Sequence, residues 1–157
     1  MMLYFVRHGK ALDASLMDDD ASRPLTEKGI KRIQRMGRVL ARMDIHPHAL
    51  FASPRVRAQQ TAQYLAEALG VSVTTREEVN FGFSVAHVRA LTAPYPYDAE
   101  LMFVGHNDSI SHVVTELTGA NVSLEVGMIA AVATLAPTLQ HSRLVWMFGN
   151  DVAKALD

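Results

Sequence analysis

Short apolar runs rich in aromatic and β-branched residues alternate along the chain with longer stretches of helical period. Leu3–Val6, Leu50–Ala52, Leu101–Val104, Ile129–Leu135 and Leu144–Phe148 read as strands, and Val71–Thr75 as a further short one. Behind Thr26 as N-cap, Ile30, Ile33, Met36, Leu40 and Met43 lie near one helical face. Ser53-Pro54 supplies an N-cap and an N1 proline for a second helix, which runs to Gly70 as its C′ residue. Ser84 is placed to cap a helix carrying Val85, Val88 and Leu91. Ser109 is placed to cap one carrying Ile110, Val113, Val114 and Leu117, closed by Gly119. This alternation predicts an α/β fold: a three-layer sandwich whose mostly parallel central sheet carries helices on both faces.

The chain has 157 residues, the size of one ordinary domain, and we read 1–157 as a single unit. There is no internal repeat and no low-complexity tract. Fifteen basic and sixteen acidic residues give a formal net charge of -1, without the basic surplus of a nucleic-acid binder. Cysteine is absent, which excludes disulfides, thiolate metal sites and cysteine nucleophiles. The apolar run Met1–Val6 stops at Arg7, too short for a signal peptide, and no run approaches the ~18 apolar residues of a membrane span. A cytoplasmic protein that binds neither membrane nor nucleic acid is the expectation.

In doubly wound sheets, sites form beyond the C-terminal ends of the strands. Three segments follow predicted strands directly: Arg7-His8-Gly9, Ser53–Arg57 and Gly105-His106-Asn107. Arginine offers a rigid, permanently charged fork of donors suited to phosphate oxygens, so Arg7 and Arg57 converging there make an anion pocket. A neutral imidazole inside it is a competent nucleophile toward phosphorus, and neighbouring positive charge disfavours its protonation. His8 takes that role. His106 can donate to a phosphoryl oxygen as charge spreads there, with cationic side chains in place of a metal.

These residues resemble the histidine phosphatase superfamily, and within it the small SixA-type phosphohistidine phosphatases. Arg7-His8-Gly9 is similar to the defining RHG motif, and Arg23-Pro24-Leu25-Thr26 with Gly29 to the RPLTxxG segment. Ser53 to Thr61 is similar to SPxxRAxQT, which marks Arg57 rather than Arg55 as the phosphate arginine, and Val104-Gly105-His106-Asn107 to the late VGHN segment. The resemblance implies a phosphoglycerate mutase-like fold without a large cap insertion. It also implies a metal-independent and cofactor-free phosphatase that forms a phosphohistidine intermediate on His8. Arg7, His8, Arg57 and His106 would be catalytic, with Asn107 as a further substrate-binding candidate.

Only about forty residues separate Thr61 from Leu101, which predicts a shallow, open site. Such a site suits a phosphorylated side chain of another protein, such as a histidine-containing phosphotransfer domain. The alternatives are a phosphatase of small phosphomonoesters and an inactive phospho-binding adaptor. Oligomeric state is not legible. Asp108 follows Asn107 where small members commonly carry proline; a carboxylate there would repel substrate unless it caps the next helix, and the cap is the expectation. Glu78 falls where larger superfamily members place a proton-donating glutamate, with a solvated loop carboxylate as its plainer reading. Asp18-Asp19-Asp20 reads as a solvated loop, although Asp20 also fits a family position three residues before Arg23. His46 and His48 read as turn residues, His87 and His112 as helix-surface residues, His141 as part of a hairpin turn and Trp146 as packing.

Overall fold

The computed structural model describes residues 1–157. Six strands form one sheet: β1 (Met2–Arg7), β2 (Ala49–Ala52), β3 (Val73–Thr75), β4 (Glu100–Gly105), β5 (Ile129–Leu135) and β6 (Gln140–Phe148). Their spatial order is β3-β2-β4-β1-β5-β6. The pairs β3/β2, β2/β4 and β4/β1 are parallel; β5 runs against both β1 and β6. The chain leaves β1 for the β2/β3 edge and then returns to insert β4 between β2 and β1. That reversal places the C-terminal ends of β2, β4 and β1 side by side.

Five helices cover the sheet: α1 (Glu27–Arg42), α2 (Val56–Leu69), α3 (Val85–Thr92), α4 (Ser109–Thr118) and α5 (Asn150–Leu156). Because both faces are buried, the central strands are apolar throughout, and alternate residues divide between two clusters. Tyr4, Val6, Met102, Val104 and Ala131 face α1, α2 and α5. Leu3, Phe5, Leu101, Phe103 and Val132 face α3 and α4. Phe103 stacks between Phe5 and Phe51 at 5.4 and 5.6 Å, a row of rings across the sheet. The expected sandwich is present. Between α2 and β4 the chain holds only β3, a 3-10 turn and the eight-residue α3, so no large insertion covers the strand ends.

Local signals set most boundaries. Thr26 Oγ1 accepts from Gly29 N at 3.0 Å, capping α1, and Ser84 accepts from His87 N at the start of α3. Gly70 ends α2 with φ 68°. Gly29 serves a close approach: a Cβ there would lie 2.2 Å from the Lys10 carbonyl oxygen. Two caps differ from expectation. Ser53-Pro54 does not open α2; the N-cap is Arg55, without a side-chain bond, and Ser53 lies two residues ahead of it with its hydroxyl against His106. Asp108 holds the N-cap position of α4, ahead of Ser109, yet its carboxylate makes no capping bond. Helix α5 had no sequence signal, since only Ala153 within it is buried.

Candidate active site

The ends of β1, β2 and β4 bring His8, Arg57 and His106 together. All three are buried, at 8%, 2% and 1% exposure. The His8 and His106 rings lie 5.2 Å apart between centroids. Arg57 Nε donates to His8 Nε2 at 3.2 Å, and His8 Nδ1 lies 2.8 Å from the Gly9 carbonyl oxygen. A carbonyl only accepts and a guanidinium only donates, so the proton sits on Nδ1 and the lone pair on Nε2. The imidazole is therefore neutral, with its unprotonated nitrogen turned toward the arginine.

His106 is fixed by its other nitrogen. Its Nε2 lies 2.7 Å from Ser53 Oγ, which itself accepts from Arg55 N at 3.4 Å. One proton bridges that contact, from the serine hydroxyl in one ring tautomer and from Nε2–H in the other. Two buried side-chain polar atoms of the protein have no internal partner, Arg7 Nε and His106 Nδ1. Arg7 Nε is a donor, and His106 Nδ1 carries the ring proton in the tautomer whose Nε2 accepts from Ser53. Buried polar atoms are normally satisfied, and these two in the cluster are not.

The remaining motif residues hold this geometry. Thr61 Oγ1 accepts from Gly9 N at 2.9 Å and donates to the Arg57 carbonyl at 2.7 Å, tying the His8 turn to α2. Gln60 accepts from Leu25 N at 2.7 Å, and Gln59 donates to the Ser53 carbonyl at 2.6 Å. Arg7 Nη1 donates to the Leu124 carbonyl at 3.0 Å, which Asn107 Nδ2 also reaches at 2.8 Å. The Asn107 carbonyl oxygen accepts from Ser111 at 2.6 Å, so both polar atoms of this amide serve to place the 124 loop and, through it, Arg7.

Two features depart from the sequence reading. Asp20, with 44% of its side chain exposed, is paired rather than a free loop carboxylate. Its carboxylate accepts from Arg55 at 2.6 Å, from Arg57 at 3.2 Å and from Arg23 Nε at 2.8 Å, while its carbonyl accepts from Arg57 Nη1 at 2.8 Å. Desolvation raises its pKa, but the Arg23 bond and the Arg57 charge outweigh that and hold it below the usual carboxylate range. Phe81 is a second surprise: 53% exposed, it packs 4.8 Å from the His106 ring under the Arg55 guanidinium at 4.4 Å. Glu78, by contrast, lies half-buried in a 3-10 turn without a hydrogen bond to either site histidine. Of the other histidines, His46 pairs with Asp44 at 2.9 Å, and His48 Nδ1 accepts from Glu100 N at 3.2 Å. His141 lies at the irregular start of β6. Trp146 packs against Tyr4 and Phe148.

Burial lowers the His8 pKa to about 4; the Gly9 bond opposes this, and the charges of Arg57, Arg7 and Arg23 add to it. His106 falls to about 3, again chiefly through burial, with His8 and Arg57 adding. Burial also pulls the Arg7 guanidinium down, against the Asp108 and Glu125 carboxylates that favour its charge. An unfolded histidine titrates near ~6.5, so between there and the folded values the unfolded chain binds more protons. The stability from both rings is complete above pH ~6.5 and is lost as pH falls through that window, on the order of 2 kcal/mol per ring by pH 5. Denaturant unfolding at pH 7 and pH 5, with ring-proton spectra of His8 and His106, checks this. Rings that titrate near pH 6.5, with equal stability at both pH values, would contradict the buried neutral assignment.

Residues 3–82 match the family model of the histidine phosphatase superfamily (branch 1). An uncharacterized protein of Picosynechococcus is 32% identical over 150 residues, covering 89% of each chain. The mitochondrial serine/threonine-protein phosphatase Pgam5 of Drosophila ananassae is 40% identical over 63 residues, 40% of this chain and 21% of its own. The fold superposes on that of the protein histidine phosphatase SixA complexed with tungstate, with TM-score 0.85 and 23% identity over 97% of this chain and 99% of that one.

Proposed function

The chain belongs to the histidine phosphatase superfamily (branch 1), and on that footing we propose that it is a metal-independent phosphatase of protein phosphohistidine acting through His8. The observation that carries this reading is the pairing of a neutral His8, lone pair on Nε2, with two buried polar atoms that lack a protein partner, Arg7 Nε and His106 Nδ1.

Phosphate oxygens enter among Arg7, Arg57 and His106, and Arg57 Nε transfers its hydrogen bond from His8 Nε2 to the incoming oxygen. The freed lone pair attacks phosphorus in line as the bond to the leaving nitrogen breaks. Positive charge then develops on the His8 ring, and the Gly9 carbonyl, accepting from Nδ1–H, stabilises it. Water displaces the phosphoryl group in a second step, releasing phosphate and restoring neutral His8. A protonated phosphoimidazole departs as neutral imidazole and needs no added acid. That matches a site where no carboxylic acid bonds either histidine.

The open strand ends suit a side chain presented by another protein, such as a histidine-containing phosphotransfer domain, in the cytoplasm. The test is turnover with chelator present, comparing a phosphohistidine-bearing transfer domain, an aryl phosphate and phosphoglycerate. Preference for the transfer domain is the expected result; preference for phosphoglycerate overturns the substrate assignment. In the same assay Glu78→Gln should leave phosphohistidine turnover within about threefold, or roughly 0.6 kcal/mol. A hundredfold loss with intact circular dichroism would instead place Glu78 in the reaction.

A further inference from the structure

Charge is unevenly spread along this chain. Helix α1 carries six basic side chains and one acidic, a net of +5, while the whole chain has a net of -1, so everything outside α1 carries -6. The chain has only four lysines. Three of them, Lys28, Lys31 and Lys154, line one cavity of about 430 Å³ between α1 and α5, together with Glu27, Arg32, Arg35 and Asn150 and no hydrophobic residue. Lys28, Lys31 and Lys154 are exposed, and neither they nor Arg32 form an ion pair or a side-chain hydrogen bond. Arg35 is already engaged, by Asn150 at 3.1 Å and Asp157 at 3.6 Å. The fourth lysine, Lys10, is exposed just outside the start of α1, where its carbonyl accepts from Thr26 N at 2.9 Å.

This basic groove adjoins the candidate active site. Arg32 and Asn150 also line a neighbouring cavity of about 480 Å³, with Glu125, Val126, Met128 and Asp151 among its walls. That wall is the far side of the loop whose Leu124 carbonyl holds Arg7 and whose Gly127 N donates to the Arg7 and His8 carbonyls at 3.1 and 2.9 Å. One loop therefore separates the phosphoryl cradle from the groove. We propose that the Lys28/Lys31/Lys154 groove docks an acidic segment of the phosphorylated protein whose phosphohistidine enters the His8 site, a proposal that rests on the function proposed above.

Lysine suits such docking, because a hydrated point charge on a flexible stem attracts carboxylates over distance without demanding a fixed geometry. Glu125 and Asp151, between the groove and the site, repel acidic groups there and so set the register. The partner's carboxylates seat at the lysine end and its phosphoryl group at Arg7. A nucleic acid fits less well, because its charge continues past the groove toward Glu125 and Asp151.

The experiment compares wild type with the triple variant Lys28→Glu/Lys31→Glu/Lys154→Glu. It measures kcat/KM on a phosphohistidine-bearing transfer domain and on free phosphoimidazole, at about 25 and about 300 mM salt. Wild type should lose about tenfold on the protein substrate as salt rises, with phosphoimidazole nearly unaffected. At low salt the triple variant should lose about tenfold on the protein and stay within about twofold on phosphoimidazole. Unchanged protein turnover in the variant, or equal losses on both substrates, overturns the docking assignment alone. Failure of wild type to turn over either phosphohistidine substrate overturns the functional reading as well. Tight duplex DNA binding by wild type that the triple variant abolishes would give the groove to nucleic acid and overturn the proposal.

Discussion

His8→Ala should reduce turnover on every phosphorylated substrate by about 10⁴-fold or more, equivalent to roughly 5.5 kcal/mol of transition-state stabilisation. The size follows from the role: the substitution removes the only atom placed to form the new bond to phosphorus, whereas each neighbour merely stabilises charge. Folding should survive. The ring is desolvated, its Nε2 accepts a single bond from Arg57, and its Nδ1 bonds only the adjacent Gly9 carbonyl. Arg57 would keep its contacts with Asp20, including the 2.8 Å bond to the Asp20 carbonyl. Rapid quench with labelled substrate into alkaline detergent, where a phosphorylated imidazole survives, gives the decisive measurement. Wild type should trap an acid-labile phosphoryl group and the variant none. Stoichiometric label on the variant would mean that another residue attacks.

What is readable from the chain alone divides along a physical line. The strands are legible because both faces of this sheet are buried, so Leu3–Val6 and Leu101–Val104 stand out as unbroken apolar runs, and Thr26 and Ser84 cap within three residues of themselves. The three site segments are legible for a related reason, since each lies where a buried strand ends. Interactions between distant residues leave no such trace. Asp20 meets Arg55 and Arg57 across 35 and 37 positions, and in the sequence it is one of three equivalent aspartates in a loop. Ser53 misleads for the converse reason. Its hydroxyl has the chemistry of a cap but lies two residues ahead of the N-cap, where it meets His106, 53 residues away. Phe81 carries no signal at all, being a single exposed aromatic outside any periodic pattern.

Arg57 separates the charge of the cradle from its shape. Its guanidinium makes three bonds at once: Nε to His8, Nη1 to the Asp20 carbonyl and Nη2 to the Asp20 carboxylate. Burial pulls its pKa down, and the Asp20 carboxylate beside it opposes that pull. With two edges pinned by Asp20, the Nε edge stays directed at His8 Nε2, the nitrogen proposed to attack, beside which the proposed mechanism places a phosphoryl oxygen. Arg57→Ala should therefore cost about 2–4 kcal/mol of transition-state stabilisation, roughly 30- to 1000-fold in kcat/KM. Arg57→Lys keeps the charge but cannot span Asp20 and His8 together, so it should recover only part of that loss. The alanine variant also leaves Asp20 facing the cradle with fewer cations, and inhibition by tungstate or vanadate should weaken in parallel with kcat/KM. Full activity in Arg57→Lys would show that charge alone suffices. Unimpaired oxyanion inhibition in Arg57→Ala would move the phosphate contact to Arg55.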